Sequence, residues 1–259
     1  MEITIIQAIL IGLWTAFCFS GMLLGIYTNR CIVLSVGVGI ILGDIKTALT
    51  MGAIAELAYM GFGVGAGGTV PPNPIGPGIF GTLMAITSKG QITPEAALAL
   101  STPIAVAIQF VQTFAYTANA GAPEAAKNAI KAGNFKGFSM AANGTIMLFA
   151  VIGFALGLTG ALSMEGVLGL VNYIPPLLLN GLTVAGKILP AIGFAMILTV
   201  MGKKELFPFM ILGYVSAAYL KLPIIGIALV ATIFALKEYY KPESEEPKLA
   251  NGGAQDDWI

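Results

Sequence analysis

The sequence contains no histidine, few charged residues and only two cysteines. Histidine is the commonest general base, proton relay and phosphate carrier near neutral pH, so its absence excludes a phosphohistidine on this chain. Charged residues make up 10% of the 259 residues, with 13 basic and 13 acidic side chains, which leaves no basic face for nucleic acid. Cys18 and Cys31 have neither a paired nor a metal-ligand spacing, so we expect buried thiols and neither a metal site nor another cofactor.

Apolar residues dominate what is present. They account for 57% of the chain, and the mean hydropathy is +0.87, which excludes an ordinary soluble globular fold. The first apolar run lacks the basic start and small-residue cleavage site of a secretory signal, so we interpret it as a retained first span. Because about 20 apolar residues cross a bilayer as a helix, we predict an all-α polytopic membrane protein of about six to eight passes. The apolar blocks lie near 3–28, 31–66, 75–88, 96–118, 138–162, 165–201 and 206–236.

Several of these blocks are poor membrane spans. Residues 31–43 are too short for a full crossing, residues 61–81 are interrupted by glycine and proline, and Lys221-Leu222-Pro223 divides 206–236 into two half-length pieces. Such pieces are typical of the re-entrant hairpins or discontinuous helices that transporters place around a substrate. The alternative is ordinary helices with glycine at packing contacts, because three pairs have the small-xxx-small spacing. These pairs are Gly21/Gly25, Gly39/Gly43 and Gly153/Gly157.

The less apolar parts of the chain suggest its organisation. Residues 119–137 carry regularly spaced lysines between apolar residues, which predicts an amphipathic interfacial connector on the cytoplasmic side. Residues 242–259 are acidic and mostly polar, which predicts that the soluble tail over residues 237–259 is disordered. We therefore expect a membrane-embedded transport domain over residues 1–236, followed by this tail.

Two carboxylates interrupt the apolar blocks. Glu56 has no charged residue within nine positions on either side, and an ionisable residue in such a place is a functional hypothesis by default. A purely structural hydrogen bond is its alternative role. Asp44 is followed by Lys46, so it can equally serve as a helix cap that pairs with Lys46 in the loop, instead of binding a ligand. Twelve residues of helix leave Asp44 and Glu56 about 120° apart, so they need not share one site.

The loop from Gly61 to Pro74 is the most distinctive segment. Its glycines, Gly67 and Gly68 among them, allow close backbone approach, while its prolines fix extended conformations. Thr69 and Asn73 supply side-chain donors and acceptors. The loop is therefore suited to hydrogen-bonding a neutral polyol. We place Glu56, Asn73, Thr69, Asp44, Gly67 and Gly68 in a candidate substrate site.

Several of these features occur in the order found in a known family. The chain resembles the enzyme IIC subunit of mannose-family sugar phosphotransferase systems over nearly its whole length. The resemblance is carried by Leu42-Gly43-Asp44-Ile45-Lys46-Thr47, Glu56, the loop ending in Pro71-Pro72-Asn73-Pro74, and Asn180-Gly181-Leu182 followed by Ala185-Gly186.

The resemblance implies a function and a set of partners. It implies a subunit of the bacterial cytoplasmic (inner) membrane that forms a hetero-oligomer with enzyme IID, while cytoplasmic enzymes IIA and IIB carry the phosphate on histidine. No catalytic residue is then expected on this chain. Mannose and sorbose members usually have Pro-Asp where this loop has Pro72-Asn73, and the form found here is more similar to N-acetylgalactosamine and galactosamine permeases.

The expected mechanism has a sugar bound in a mid-membrane pocket shared with enzyme IID and held by Glu56, Asn73 and Thr69. Phospho-IIB then phosphorylates the sugar, which traps it in the cell without an ion gradient. One alternative is a secondary transporter driven by protons or sodium, with Asp44 and Glu56 as coupling sites. A binding role without translocation, as a receptor, stays open as an additional function.

Overall fold

The computed structural model describes residues 3–60, 72–171, 173–203 and 206–240, apart from the side chain of residue 200. Within these ranges the chain is helical and has no strand. The α-helices are α1 (Ile5–Gly21), α2 (Cys31–Leu42), α3 (Ile45–Tyr59), α4 (Thr82–Thr87), α5 (Pro94–Ala118), α6 (Ala122–Lys131), α7 (Phe135–Leu162), α8 (Met164–Val171), α9 (Pro176–Met201), α10 (Phe207–Ala218) and α11 (Ile224–Tyr239).

Four stretches of helix among the described residues are long and apolar enough to cross a bilayer. They are Ile5–Leu24, Pro94–Lys131, Phe135–Leu162 and Pro176–Thr199, and each has 20 or more residues. At 1.5 Å per residue, 20 residues span about 30 Å, the thickness of the hydrocarbon core. These helices confirm the all-α membrane fold. The count of six to eight passes stays a prediction, because it depends on how the shorter helices are placed in the bilayer.

The shorter apolar helices confirm the half-length pieces expected from the sequence. Helix α2 has 12 residues and ends at Gly43, whose φ of +79° is readily adopted only by glycine. Residues Gly76–Gly81 form a π-helical segment that continues into α4, and this piece of 12 residues ends at Thr87. Helices α10 and α11 are separated by the predicted break at Lys221-Leu222-Pro223. A helix of 12 residues reaches only about 18 Å.

The glycine pairs divide between two roles. Gly153 and Gly157 lie where α7 packs along α1, and a Cβ at Gly157 would be 2.8 Å from the carbonyl oxygen of Ile11. This pair is a true small-xxx-small packing contact. Gly25 and Gly43 instead have positive φ and open space around them, so they end helical segments. Glycine therefore allows close helix packing at one place and ends short helical segments at others.

A core forms where α2, α3, α5 and the π-helical segment pack together. It contains a polar cluster, in which Thr82 donates to the Ser35 hydroxyl at 2.8 Å and Ser35 Oγ lies 3.2 Å from the carbonyl oxygen of Gly78. Because buried polar groups need partners, this cluster fixes the π-helical segment against α2. The apolar part of the core includes Leu34, Met51, Ile79 and Leu98, all fully buried.

The connector between α5 and α7 is a helix, as its amphipathic pattern predicts. This helix, α6, follows Gly121, has Glu124 in its first turn and Lys131 in its last turn, and packs against α7. An acidic residue near the start of a helix and a basic residue near its end both interact favourably with the helix macrodipole. The cytoplasmic position of the connector stays a prediction.

The chain divides into two compact units, residues 1–201 and residues 202–259. Within the second unit α10 packs against α11, and the ring centroids of Phe209 and Phe234 are 5.6 Å apart. Helix α11 continues to Tyr239, beyond the expected start of the tail at residue 237. Residues 241–259, which make up most of the predicted tail, lie outside the described residues.

Candidate functional site

Glu56 lies near the end of α3, with 17% of its side chain exposed. Its Oε1 accepts from Arg30 Nε at 2.6 Å and forms an ion pair with the Nη2 atom of the same guanidinium. Its Oε2 accepts from the backbone N–H of Ile32 at 3.3 Å. The carboxylate that is isolated in the sequence therefore has a cationic partner 26 residues before it.

This arrangement follows from the start of α2. Arg30 is the N-cap residue, and its side chain has no acceptor for the free N–H groups of the first helical turn. Glu56 supplies that acceptor from α3, and its negative charge also suits the positive end of the helix dipole. Arg30 balances the charge of the carboxylate with a charge-assisted hydrogen bond. Glu56 thus has a structural role in joining α3 to α2.

The ion pair retains hydrogen-bonding capacity for a ligand. A carboxylate has about four acceptor positions, and Oε2 of Glu56 has one described donor, which leaves a position there. A guanidinium has about five N–H donors, and Arg30, with 47% of its side chain exposed, uses part of them on Glu56. A hydroxyl group can donate to the carboxylate while it accepts from the guanidinium. The structural role therefore leaves a binding role open.

Asn73 is completely buried at the turn that begins the π-helical segment. Its backbone N–H donates to the carbonyl of Ala105 on α5 at 3.1 Å. Its side chain accepts from the N–H of Ile75 at 2.9 Å through Oδ1, and donates to Oε1 of Gln112 at 2.5 Å through Nδ2. With the bond from the N–H of Gly76 to its backbone carbonyl, four hydrogen bonds thus fix this residue between the turn and α5.

The surroundings of Glu56 and Asn73 are in contact. The Sγ of Cys31, which follows Arg30, lies 3.8 Å from the carbonyl oxygen of Pro74, which follows Asn73. Helix α3 also packs against both α5 and the π-helical segment. The structure therefore brings the start of α2, the end of α3 and the Asn73 turn into one region of the first unit.

Asp44 lies at the opposite end of α3 from Glu56. It is the N-cap residue of that helix, and its Oδ1 accepts from the N–H of Thr47 at 3.0 Å. Twelve residues of α-helix correspond to a separation of about 18 Å along the axis. The structure thus gives Asp44 the capping role that the sequence offered as one alternative, and does not bring it together with Glu56.

The remaining candidates from the loop, Gly67, Gly68 and Thr69, lie outside the described residues. The loop enters the described part at Pro72, which lines a cavity of about 210 Å³ against one face of α5. The other residues that line it are Val106, Gln109, Phe110 and Thr113.

Three residues that complete this region, Arg30, Gln109 and Gln112, are absent from the set predicted from the sequence. Arg30 is not among the residues predicted from the sequence, although a cation at the start of one apolar block is a natural partner for an isolated acid in the next. Gln109 and Gln112 lie within the apolar block 96–118, and their spacing of three puts them on the same side of a helix. Two amides at helical spacing in an apolar run are the signal that could have found this face.

Comparisons with known proteins show which family the chain belongs to. The model of the family described as the sorbose-specific IIC component of the phosphotransferase system matches residues 5–237. The chain is 35% identical over 205 residues to N-acetylgalactosamine permease IIC component 1 of Escherichia coli, which covers 77% of this chain and 74% of that protein.

Solved structures extend the similarity to the fold. One, described as the structure of a membrane protein, has a TM-score of 0.82 and 28% sequence identity, covering 92% of this chain and 96% of its own. A second, the mannose transporter ManYZ in a complex with a microcin, has a TM-score of 0.58 and 28% identity, covering 95% of this chain and 100% of its own. Together with the family match over most of the chain, these similarities mean that the chain belongs to the enzyme IIC subunits of the mannose-family sugar phosphotransferase systems, multi-pass proteins of the bacterial inner membrane.

Proposed function

We propose that this IIC subunit imports an amino sugar such as N-acetylgalactosamine, and that phospho-IIB phosphorylates the sugar as it enters. The observation that carries the proposal is the hydrogen-bonded pair of Glu56 and Arg30 next to the turn of Asn73, in a part of the fold built from half-length helices. Broken helices of this kind surround substrate sites in many transporters.

The Glu56–Arg30 pair suits a sugar because it offers both an acceptor and donors. Hexose hydroxyl groups both donate and accept, so one hydroxyl can satisfy the free position on Oε2 and another can accept from the guanidinium. An epimer with one hydroxyl turned away leaves a group of this site without a partner, which costs binding energy. The pair therefore supports selection among hexoses.

The amino-sugar specificity rests on two observations. The relative with 35% identity is an N-acetylgalactosamine permease component, and the loop of this chain has a neutral carboxamide at Asn73. A carboxamide can donate a hydrogen bond, whereas an ionised aspartate only accepts. Because Asn73 is completely buried and bonded within the protein, its carboxamide favours a sugar with an N-acetyl carbonyl group through the neighbouring side chain that it orients, not through direct contact.

The chemistry is divided among several proteins. Because the chain has no histidine, the phosphoryl group is carried by other components, enzyme IIA and then enzyme IIB. Enzyme IID is the proposed membrane partner, and a solved structure similar to this chain is that of the transporter ManYZ. The role of this subunit is to bind the sugar and expose it to phospho-IIB, and phosphorylation then traps the product.

A phosphoryl-transfer experiment tests this division. Membranes that contain this chain and its enzyme IID partner are incubated with radiolabelled phospho-IIA, enzyme IIB and N-acetylgalactosamine. We expect the label to pass to the sugar and never to this polypeptide, because it lacks histidine and its two cysteines are buried.

The same reaction without the sugar is the control, and it should leave the label on IIA and IIB. A stable phosphoryl group on this chain, whether acid-labile or attached to a thiol, would show that the chain takes part in phosphoryl transfer and would overturn the division proposed here.

A further inference from the structure

The orientation of the Asn73 carboxamide is dictated by its neighbours. One of its atoms lies 2.9 Å from the backbone nitrogen of Ile75, which can only donate, so that atom must be the oxygen Oδ1. The other atom is then Nδ2, a donor, and it faces Gln112 at 2.5 Å. Gln112 must therefore present its oxygen, Oε1, to Asn73.

The orientation of Gln112 follows in turn. With Oε1 directed at Asn73, the amide nitrogen Nε2 of Gln112 points away from it and carries two hydrogen-bond donors. Gln112 is half-buried on α5 between two residues that line the cavity of about 210 Å³, namely Gln109 and Thr113. Pro72, which precedes Asn73, lines the same cavity. Gln112 itself is not a lining residue, but it is bonded to Asn73, the neighbour of Pro72, and follows Gln109 by less than one helical turn, so the fixed donor lies next to residues that line this cavity.

We propose that Gln112 is a specificity-determining residue whose Nε2 donates to the transported sugar, and that Asn73 is the positioning residue that orients it. The proposal rests on the function proposed above and refines the site. Asn73 is completely buried and uses both its carbonyl oxygen and one amide hydrogen within the protein, so its contribution to sugar choice acts through Gln112.

This coupling would make the preferred sugar depend on the identity of residue 73. An ionised aspartate at this position would accept from the N–H of Ile75 with one oxygen and turn the other toward Gln112. Gln112 would then rotate its amide to donate, which leaves Oε1 in place of Nε2 at the cavity. The N-acetyl carbonyl can only accept, so it loses its donor. A hydroxyl of mannose can donate to the new acceptor, so mannose binding changes less.

The test is a competition between N-acetylgalactosamine and mannose on membranes that contain the full chain and its enzyme IID partner. Gln112→Glu keeps an oxygen that accepts from Asn73 but removes the NH₂ donor. Gln112→Met removes the oxygen and the NH₂ group and keeps the length of the side chain. We expect each variant to lower the ratio of the two affinities by about tenfold, the effect of losing one hydrogen bond to the sugar. Thr117→Val, which removes a hydroxyl bonded only within α5, should leave the ratio unchanged.

A double-variant cycle tests the coupling itself. In the wild-type background Asn73→Asp should also lower the ratio by about tenfold, because it inverts the amide of Gln112. In the Gln112→Met background no amide is left to invert. The same substitution should then change the ratio by less than about twofold, which is the limit expected for uncoupled sites.

The possible outcomes separate this proposal from the proposed function. If the wild-type complex does not prefer N-acetylgalactosamine, the amino-sugar function is wrong. If it does, but both Gln112 variants keep the wild-type ratio, or if Asn73→Asp acts equally in both backgrounds, the role of Gln112 is refuted. Loss of the assembled complex in both Gln112 variants also refutes it, because Gln112 would then serve the fold and not the choice of sugar.

Discussion

Replacement of Glu56 by glutamine is expected to weaken sugar binding by about 1.5–3 kcal/mol, the usual worth of a hydrogen bond to a charged group. The fold should persist, because the carbonyl oxygen of the new amide can still accept from the N–H of Ile32 or from Arg30. The new NH₂ group, however, replaces an acceptor that the sugar would use. The measurement is equilibrium binding of N-acetylgalactosamine to the purified complex with its enzyme IID partner.

The matched control is Glu165→Gln, since Glu165 is exposed in the first turn of α8 and has no proposed role in binding. It should bind the sugar with wild-type affinity. Unchanged affinity in Glu56→Gln, or loss of the assembled complex in that variant, would limit Glu56 to its structural role as the acceptor at the start of α2.

Replacement of Gly157 by alanine is expected to destabilise the protein by about 1–3 kcal/mol, the usual cost of overpacking a close contact. The added Cβ would lie 2.8 Å from the carbonyl oxygen of Ile11, which is backbone and cannot rotate away. Helices α1 and α7 would then have to separate. Their contact also includes Phe19 and Phe149, whose ring centroids are 4.9 Å apart. Thermal unfolding of the purified protein measures this effect.

Gly144 offers a control on the same helix. It has open space around the position of an added Cβ, so Gly144→Ala should leave the stability unchanged or raise it by up to about 1 kcal/mol, because alanine is the better helix former. Equal losses of stability in the two variants would mean that glycine matters for the backbone of α7 and not for its packing against α1.

Much of the fold could be predicted from the sequence because it depends on local rules. The length of apolar runs predicts the long helices, and the glycine at Gly43 and the break at Lys221-Leu222-Pro223 end helices at the expected places. The π-helical segment could not be predicted, and neither could its contacts with α2, such as the approach of Ser35 Oγ to the carbonyl oxygen of Gly78. Contacts of this kind join residues far apart in the sequence and leave no periodic signal.

The candidate site was predicted only in part, for the same reason. The isolated acid identified Glu56, and the unusual loop identified Asn73, without any knowledge of their partners. Arg30 and Gln112 lie 26 and 39 residues away from these two residues, so their pairing is decided by how the helices pack. Asp44 was included because an acid in an apolar region suggests function, whereas its position before a helix equally suits the N-cap that it forms.

The most direct test of the central claim is uptake into sealed vesicles that contain this chain and enzyme IID. Labelled N-acetylgalactosamine is supplied outside, phospho-IIB is enclosed or omitted, and an uncoupler is added to half of the samples. The account predicts that sugar phosphate accumulates only with phospho-IIB, and that the uncoupler has no effect. Accumulation of free sugar without phospho-IIB that collapses with the uncoupler would contradict it and identify an ion-coupled secondary transporter.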